Sequence, residues 1–412
     1  MSDFVQNDEF NGRTVIKVVG VGGAGGNAVN RMISEGLQDI EYVAINTDAK
    51  DLLKSEADVK IALSDATSRG LGAGADPAKG AKAAQDHQSD IEEVLKGADM
   101  VFLTAGEGGG TGTGASPVVA HSAREQGALT IGVVTRPFSF EGPRRSASAE
   151  SGIEKLRDEV DALIVIPNDR LLDLSDKSLS VIDAFKHADS ALLAGVRGIT
   201  DLITSTNAYI NVDFSDVKAV LQQSGTAMFG IGSARGEDRA AQAAETAISS
   251  PLLESGIKGA HGVLVNVAGP MDMGIEEYQA ACELIRSVVA QEAQIITGMI
   301  LDDAYGDEVR VTVIAAGFDM NNNPVSASSQ SAAAQSSSEQ SAVSQTAAGT
   351  AGSSSVPPLN DVKLQQGAQM RDMPERINPE SSNPDSTAER PAVSPAEESQ
   401  DWSPLQIPDF LR

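Results

Sequence analysis

Residues 105–114 read Ala105-Gly106-Glu107-Gly108-Gly109-Gly110-Thr111-Gly112-Thr113-Gly114, and the reading of this stretch decides the fold. Six of the ten residues are glycine, two are threonine, and Glu107 carries the only charge. A compact apolar run precedes it, Met100-Val101-Phe102-Leu103, which predicts a buried strand. Ala115 to His121 follows and predicts a helix with Pro117 in its first turn. The glycines therefore occupy a strand-to-helix turn. Lacking a Cβ, they permit positive φ and let backbone N–H groups approach a ligand closely. Successive N–H groups at a helix start favour an anion, most often a phosphate. Thr111 and Thr113 add hydroxyl donors. A loose surface loop has no need of six glycines directly between a buried strand and a helix.

Outward from this turn the pattern repeats. Thr14 to Val19 predicts a strand, Gly20 to Asn27 a glycine-rich loop, and Ala28 to Glu35 a helix. Gly20, Gly22 and Gly25 satisfy G-x-G-x-x-G, and a second strand, Glu41 to Ile45, ends in Asn46-Thr47-Asp48. An acidic residue there is what a ribose-binding dinucleotide site has. Taken alone, this segment suggests an NAD-binding oxidoreductase using Gly20–Gly25 and Asp48. A third glycine-rich loop, Arg69 to Pro77, opens a helix expected from Lys79 to Leu95. Strands at 128–135 and 162–166 end in Arg136-Pro137-Phe138-Ser139-Phe140-Glu141-Gly142 and Pro167-Asn168-Asp169. Strands alternating with helices imply a mostly parallel α/β sheet with ligands at the carboxyl ends of its strands. The glycine loops, Asn46, Glu141 and Asn168 all fall at those ends. No Gly-Lys pair occurs, so a P-loop is excluded and backbone N–H groups must hold any phosphate.

Helical spacing of Ile182, Phe185, Leu192, Leu193, Val196, Ile199 and Leu202 predicts a long helix over 179–204. Its roughly 39 Å would cross a whole domain. Asp189 stands out in its nucleotide-side half. Asn211-Val212-Asp213-Phe214-Ser215-Asp216 follows, two carboxylates and an amide in six residues; Asp216 could also simply cap a helix 217–223. Residues 208–318 carry an α+β pattern with no glycine loop of their own.

Net charge is −27 over 412 residues, which argues against nonspecific nucleic-acid binding and against unaided docking on an anionic membrane. Cys282 is the single cysteine, so no intramolecular disulfide forms, as in a reducing cytoplasm. It falls in a helical apolar pattern and reads as a small core residue. The first 13 residues are polar, with no signal-peptide core, and no apolar run reaches the length of a membrane helix. From Asn321 to Asp401 there is no aromatic residue, and a Ser/Ala/Gln/Pro composition predicts disorder. As a flexible tether of about 78 residues it would span roughly 45–55 Å. Hydrophobicity returns at Trp402-Ser403-Pro404-Leu405-Gln406-Ile407-Pro408-Asp409-Phe410-Leu411-Arg412, which reads as a docking peptide.

These residues resemble the tubulin/FtsZ family. G-G-G-T-G-T-G at 108–114 is similar to the tubulin signature. Gly20–Asn27, Asn46-Thr47-Asp48, Pro137-Phe138 with Glu141-Gly142, Pro167-Asn168-Asp169 and Asn211–Val217 match the family in order. The resemblance covers 14–318 and resumes at 404–412. It implies a tubulin-like two-domain fold: a Rossmann-like GTP-binding domain over 14–178, a central helix over 179–207, and a smaller α+β domain over 208–318. A linker over 319–401 and a terminal peptide over 402–412 complete it. It further implies a cytoplasmic GTPase that takes GTP or GDP with Mg²⁺, without a metal site of its own. Such a protein polymerises head to tail at the midcell division ring and meets adaptor or membrane-anchoring proteins through Leu405–Arg412. Carried over residue by residue, Gly22, Gly23, Ala24, Gly25, Gly26 and Asn27 contact the phosphates, as do Gly108, Gly109, Gly110, Thr111, Gly112 and Thr113. Asn46 also contacts the nucleotide, Glu141 and Arg145 lie near ribose and phosphates, and Asn168 lies near ribose and guanine. Asp189 accepts from guanine, and Phe185 stacks on it. Asn211, Asp213 and Asp216 are the catalytic set, too far down the helix to reach their own nucleotide and so expected to act on that of the next subunit. The chain departs from the family pattern at Pro143, where a basic residue is common, at Lys186-His187 and at Gln406.

Overall fold

The computed structural model describes residues 14–37, 39–64, 70–173, 180–205, 208–253 and 257–318. The arm 1–13, Leu179, the linker and the terminal peptide lie outside the described residues. In chain order the elements are β1 (Ile16–Val21), α1 (Gly22–Ser34), β2 (Ile40–Asn46), α2 (Ala49–Lys54), β3 (Val59–Ala62), α3 (Pro77–Asp86), α4 (Gln88–Leu95) and β4 (Met100–Gly106). Then come α5 (Thr111–Glu125), β5 (Leu129–Arg136), α6 (Pro143–Glu159), β6 (Ala162–Pro167), α7 (Asn168–Asp173), α8 (Val181–Thr204), β7 (Ala208–Ile210) and α9 (Phe214–Leu221). The remainder is β8 (Gly225–Arg235), α10 (Arg239–Ile248), β9 (Gly262–Gly269), α11 (Ile275–Val288), β10 (Gln294–Leu301) and β11 (Glu308–Ala316).

All strands belong to one sheet, in the order β3-β2-β1-β4-β5-β6-β8-β11-β9-β10-β7. The first six are parallel, and their order reverses between β1 and β4, the switch point where doubly wound sheets bind ligands. Every residue of β1 is buried. Alternate side chains serve opposite faces: Ile16 and Val18 pack with Val29 and Met32 of α1 and with Leu192 and Val196 of α8. Val19 and Val21 pack with Leu95 of α4, Val119 of α5 and Leu156 of α6. The α8 cluster also takes in Phe229, Leu264 and Ile314 from the later strands, so one helix backs both halves.

The halves share more than that helix. β6 and β8 pair in parallel through Ala162–Gly225, Leu163–Thr226 and Ile164–Ala227, three pairs against the nine of β8 with β11. Asp161 pins this join. Its carboxylate accepts N–H from Thr130 (2.9 Å) on one side and from Gln223 (3.3 Å) on the other.

Several boundaries also differ from the sequence reading. The glycines at 22–26 are inside the first turns of α1, not in a loop before it, so the helix begins where β1 stops. Likewise α5 starts at Thr111, which leaves Pro117 inside the helix and the Thr113 carbonyl without its usual N–H partner. The helix expected over 79–95 breaks at His87 (φ −116°, ψ 20°) into α3 and α4. Ser180 caps α8 through the Asp183 N–H. Cys282 is half-buried, not a core residue, and burial pushes its thiol up.

Candidate functional site

At the switch point β1 and β4 end level, Val21 opposite Ala105, and α1 and α5 start side by side. Gly22 adopts φ +74°, and a Cβ there would stand 2.8 Å from the Gly112 nitrogen. Glycine is thus what lets the two helix starts touch. Neither helix start carries a side-chain cap, whereas α2, α3 and α8 are capped by Asp48, Asp76 and Ser180. The first-turn N–H groups of α1 and α5 are therefore left for a ligand, and both dipoles point positive ends at it.

The glycines divide by what surrounds them. A Cβ at Gly25 would strike the Thr104 carbonyl, and one at Gly110 would meet Ala73 and the Asp76 nitrogen. At Gly108 (φ +92°) it would fall 2.6 Å from the Arg145 carbonyl. At Gly26 and Gly109 it would meet nothing within 4 Å. The first group builds the cradle; the second leaves open space over it. A cavity of about 180 Å³ runs along the α1 start and the β2 end, lined in part by Gly22, Gly23, Gly26, Asn27 and Asn46. Ala24 and Asn27 are exposed beside it. A larger cavity of about 560 Å³ among α8, α10 and β8 contains none of the residues singled out from the sequence.

Loops hold the cradle's rim. Thr47 and Thr111 share a hydroxyl–hydroxyl hydrogen bond of 2.6 Å, and the Asn46 side chain accepts the Asp48 N–H (3.2 Å). Asp48 itself caps α2 by accepting from Lys50 N–H (2.9 Å). Its carboxylate is committed to the helix, which corrects its reading as a ribose ligand. Thr113 is turned inward at 3% exposure and accepts the Gly108 N–H (2.8 Å); it shapes the loop from behind rather than facing the crevice.

On the far rim Glu141 ties its own turn together. It accepts the Phe138 N–H (2.9 Å) and pairs with Arg145 at 3.1 Å. Phe138 is stacked on Phe140 at 5.0 Å and meets Phe185 edge-on at 5.4 Å. Phe138 and Phe140 were not picked out from the sequence. Their spacing around Ser139 was the available signal. Asn168 is buried at the end of β6, and its Oδ1 has no partner among the described residues. Asp189 faces Arg31 of α1; burial pushes its carboxyl up to about 7, with the Arg31 charge opposing.

The structure does not bring Asn211, Asp213 and Asp216 to this site. The Val212 N–H bonds the Leu202 carbonyl (3.3 Å), fixing their loop at the opposite end of α8. Thirteen helical residues from Asp189 to Leu202 put about 20 Å between the two. All three side chains are exposed, and Val212 between them is buried. Asp213 is the N-cap residue of α9 but makes no side-chain cap bond. The cap position is thus Asp213 rather than Asp216, and neither carboxylate is used for capping.

The family model for the Tubulin/FtsZ GTPase domain matches residues 15–176, and that for the FtsZ C-terminal domain matches 225–319. An FtsZ of M. jannaschii, solved as an empty dimer, is 43% identical, with TM-score 0.72 over 75% of this chain and 89% of that one.

This chain belongs to the Tubulin/FtsZ family, on its FtsZ branch.

A point mutant of FtsZ from M. jannaschii matches at 43% identity and TM-score 0.71, covering 74% of this chain and 92% of its own. A CetZ of Haloferax volcanii, described as a GTPγS-bound protofilament, matches at 22% identity and TM-score 0.62 over 73% and 92%; that likeness shows the fold alone. Membership makes the chain a GTPase that binds guanine nucleotide, and overturns the oxidoreductase alternative. No helix among the described residues is long and apolar enough to cross a membrane.

Proposed function

We propose that this chain polymerises head to tail into the division ring's protofilaments and hydrolyses GTP only within them. The observation that carries this reading is the separation just described: two exposed, unengaged carboxylates about 20 Å along α8 from the base-facing Asp189. They cannot act on their own chain's nucleotide. Exposed apolar side chains support contacts at both ends. Phe140, Val181, Ile182 and Phe185 surround the nucleotide end, and Tyr209 and Ile210 precede the carboxylates. A contact that joins different surfaces and does not close builds filaments.

In this reading the phosphates lie on the N–H groups of Gly22–Asn27 and Gly109–Gly112, with Gly108 and Thr113 shaping the loop. Glu141 and Arg145 flank them with Asn46. Asn168 offers its unpartnered oxygen to ribose or base, Asp189 accepts from guanine N1 and N2, and Phe185 covers the ring. Asp213 and Asp216 of the next subunit, with Asn211, orient a water in line with the γ-phosphate and take its proton as the bond to GDP breaks. Mg²⁺ travels with the nucleotide, whose phosphates serve as its ligands. The crevice's backbone N–H donors suit the phosphates and not the ion, and no group of three or more acidic, His or Cys side chains among the described residues could hold a metal. Residues 14–178 would form the nucleotide part, 179–207 the spine and 208–318 the catalytic-loop part. Leu405–Arg412, on its tether, would dock adaptors in the cytoplasm at midcell.

The test mixes two inactive chains, Asp216→Ala and one blocked in GTP binding. Shared sites predict that the mixture regains turnover at interfaces pairing the intact loop with the intact pocket. Turnover by monomers, independent of concentration, would rule the reading out.

A further inference from the structure

Glu107 is the one ionisable residue in the glycine turn, and the structure does not expose it. It is 2% exposed, and neither carboxylate oxygen has a hydrogen-bond partner among the described residues. Its backbone N–H is spent on the Thr135 carbonyl (2.9 Å). Its side chain lies behind the turn, where Gly152 of α6 makes room for it: a Cβ on Gly152 would fall 2.5 Å from Glu107 Oε2 and onto the Thr113 methyl. An unpaired buried carboxylate is costly, so its presence in a phosphate-facing turn calls for a role.

We propose that Glu107 is a positioning residue that couples nucleotide binding to the uptake of a proton: its carboxyl must be neutral for the turn in front of it to hold a phosphate chain. This rests on the family's guanine-nucleotide binding and on the placing of the phosphates over 109–112.

The surroundings leave the carboxyl without a counter-charge. From α5 only the Thr113 side chain faces it. From α6 come Gly152 and Arg145, whose backbone and stem pack on Gly108 while its guanidinium is turned to Glu141 at 3.1 Å. From β5 come the Thr135 carbonyl and Arg136, whose guanidinium is held by Glu150 at 2.9 Å. From α1 the uncharged Ala24 methyl stands against Gly106. Burial accordingly pushes the Glu107 carboxyl up to about 7; the Thr113 hydroxyl opposes this without reaching hydrogen-bonding geometry with either oxygen. Near neutrality the free protein is thus divided between the acid and the carboxylate.

Phosphates then tip the balance. Two or three residues separate Glu107 from the N–H groups of Gly109 and Gly110, so a phosphate there lies within roughly 10 Å of the carboxyl. At that distance in a protein each phosphate charge disfavours the carboxylate by roughly tenfold. GTP therefore binds the protonated form, and above pH 7 each bound nucleotide takes a proton from solvent. By linkage, affinity falls as pH rises above the carboxyl's own value, approaching about tenfold per pH unit. The effect scales with phosphate charge, GTP above GDP. Asp189 works in the opposite direction, because a base that donates to it favours its ionised form.

The experiment is titration calorimetry of the full chain with GTP and with GDP, at pH 6 and pH 8, in two buffers of very different protonation enthalpy. The wild type should take up more protons at pH 8 than Glu107→Gln does, and more with GTP than with GDP. Glu107→Gln should bind GTP about tenfold more tightly than the wild type at pH 8 and equally at pH 6. Glu107→Met, which removes the charge differently, should behave alike and serves if the amide misfolds. Equal proton uptake and parallel pH profiles in wild type and variants would overturn the proposal while leaving GTP binding intact. No heat of GTP binding by the wild type at either pH would instead remove the nucleotide reading on which it rests.

Discussion

The two ends of α8 manage negative charge in opposite ways. At the nucleotide end, carboxyls are buried and pushed toward neutrality, Glu107 and Asp189 each to about 7, and the ligand meets backbone N–H groups. At the other end, Asp213 and Asp216 stand in solvent without capping bonds. In the proposed reading an anionic substrate is admitted by one end and attacked by the other end of the next subunit. The difference is what the proposed shared site needs: one end offers N–H donors and buried carboxyls, the other exposed carboxylates.

The sharpest way to break the comparison is to disarm the exposed end. Asp216→Ala should lower GTP turnover by about 10³-fold, in the range general bases and positioned electrostatic groups supply, with GTP affinity within about twofold by calorimetry. Near-normal phosphate release would show that the carboxylates are ornamental.

At the buried end the largest effect is on stability. Glu107 holds its proton in the folded chain up to about pH 7 but loses it from near 4.5 when unfolded. The native state therefore binds the extra proton between those values, and stability falls as pH climbs through that window. Glu107→Gln should gain up to about 3 kcal/mol over the wild type at pH 8 and nothing at pH 4, read from denaturant midpoints.

The glycines provide a paired test. Gly25→Ala drives a methyl into the Thr104 carbonyl and should cost about 1–3 kcal/mol of stability. Gly109→Ala meets no protein atom within 4 Å and should leave the melting temperature alone. It should nonetheless weaken GTP about tenfold, the equivalent of about 1.4 kcal/mol, because in the proposed reading the space it fills is the ligand's. If both variants behaved alike, the division between cradle and open floor would be wrong.

The smallest effect is a pH slope. In the proposed reading Asp189 binds guanine as the carboxylate, so guanosine, which has no phosphate to sense Glu107, should bind several-fold more tightly as pH rises from 6 to 8. Asp189→Asn should flatten that rise.

How much of this could be read from residues alone follows from range. Glycine chemistry is local, so the turn at 105–114, the G-x-G-x-x-G segment and the spine helix were legible, as was the parallel direction of the strands that follows from alternation. The start of α1 at Gly22 was not, because glycine is a poor helix former and its place there depends on the neighbouring α5. The break at His87 was hidden in an unbroken helical composition. Glu107 reads only as the one charge in the glycine turn, and the gap at Gly152, 45 positions later, shows that it turns inward. Asp48 satisfied a ribose-binding pattern and turned out to cap a helix, a role the same residue type fills equally well. The join of β6 to β8 was beyond sequence reading, since three rungs leave no periodic trace.

That join has a mechanical meaning. In a protofilament the subunits carry load in series, and within each subunit the load passes from the nucleotide half to the carboxylate half through the sheet and α8. The sheet's join between the two halves is the three pairs of Ala162–Ile164 with Gly225–Ala227, riveted by Asp161 to Thr130 and Gln223. In the proposed filament, bending or stretching would load these three rungs and one carboxylate wherever force passes between the halves through the sheet.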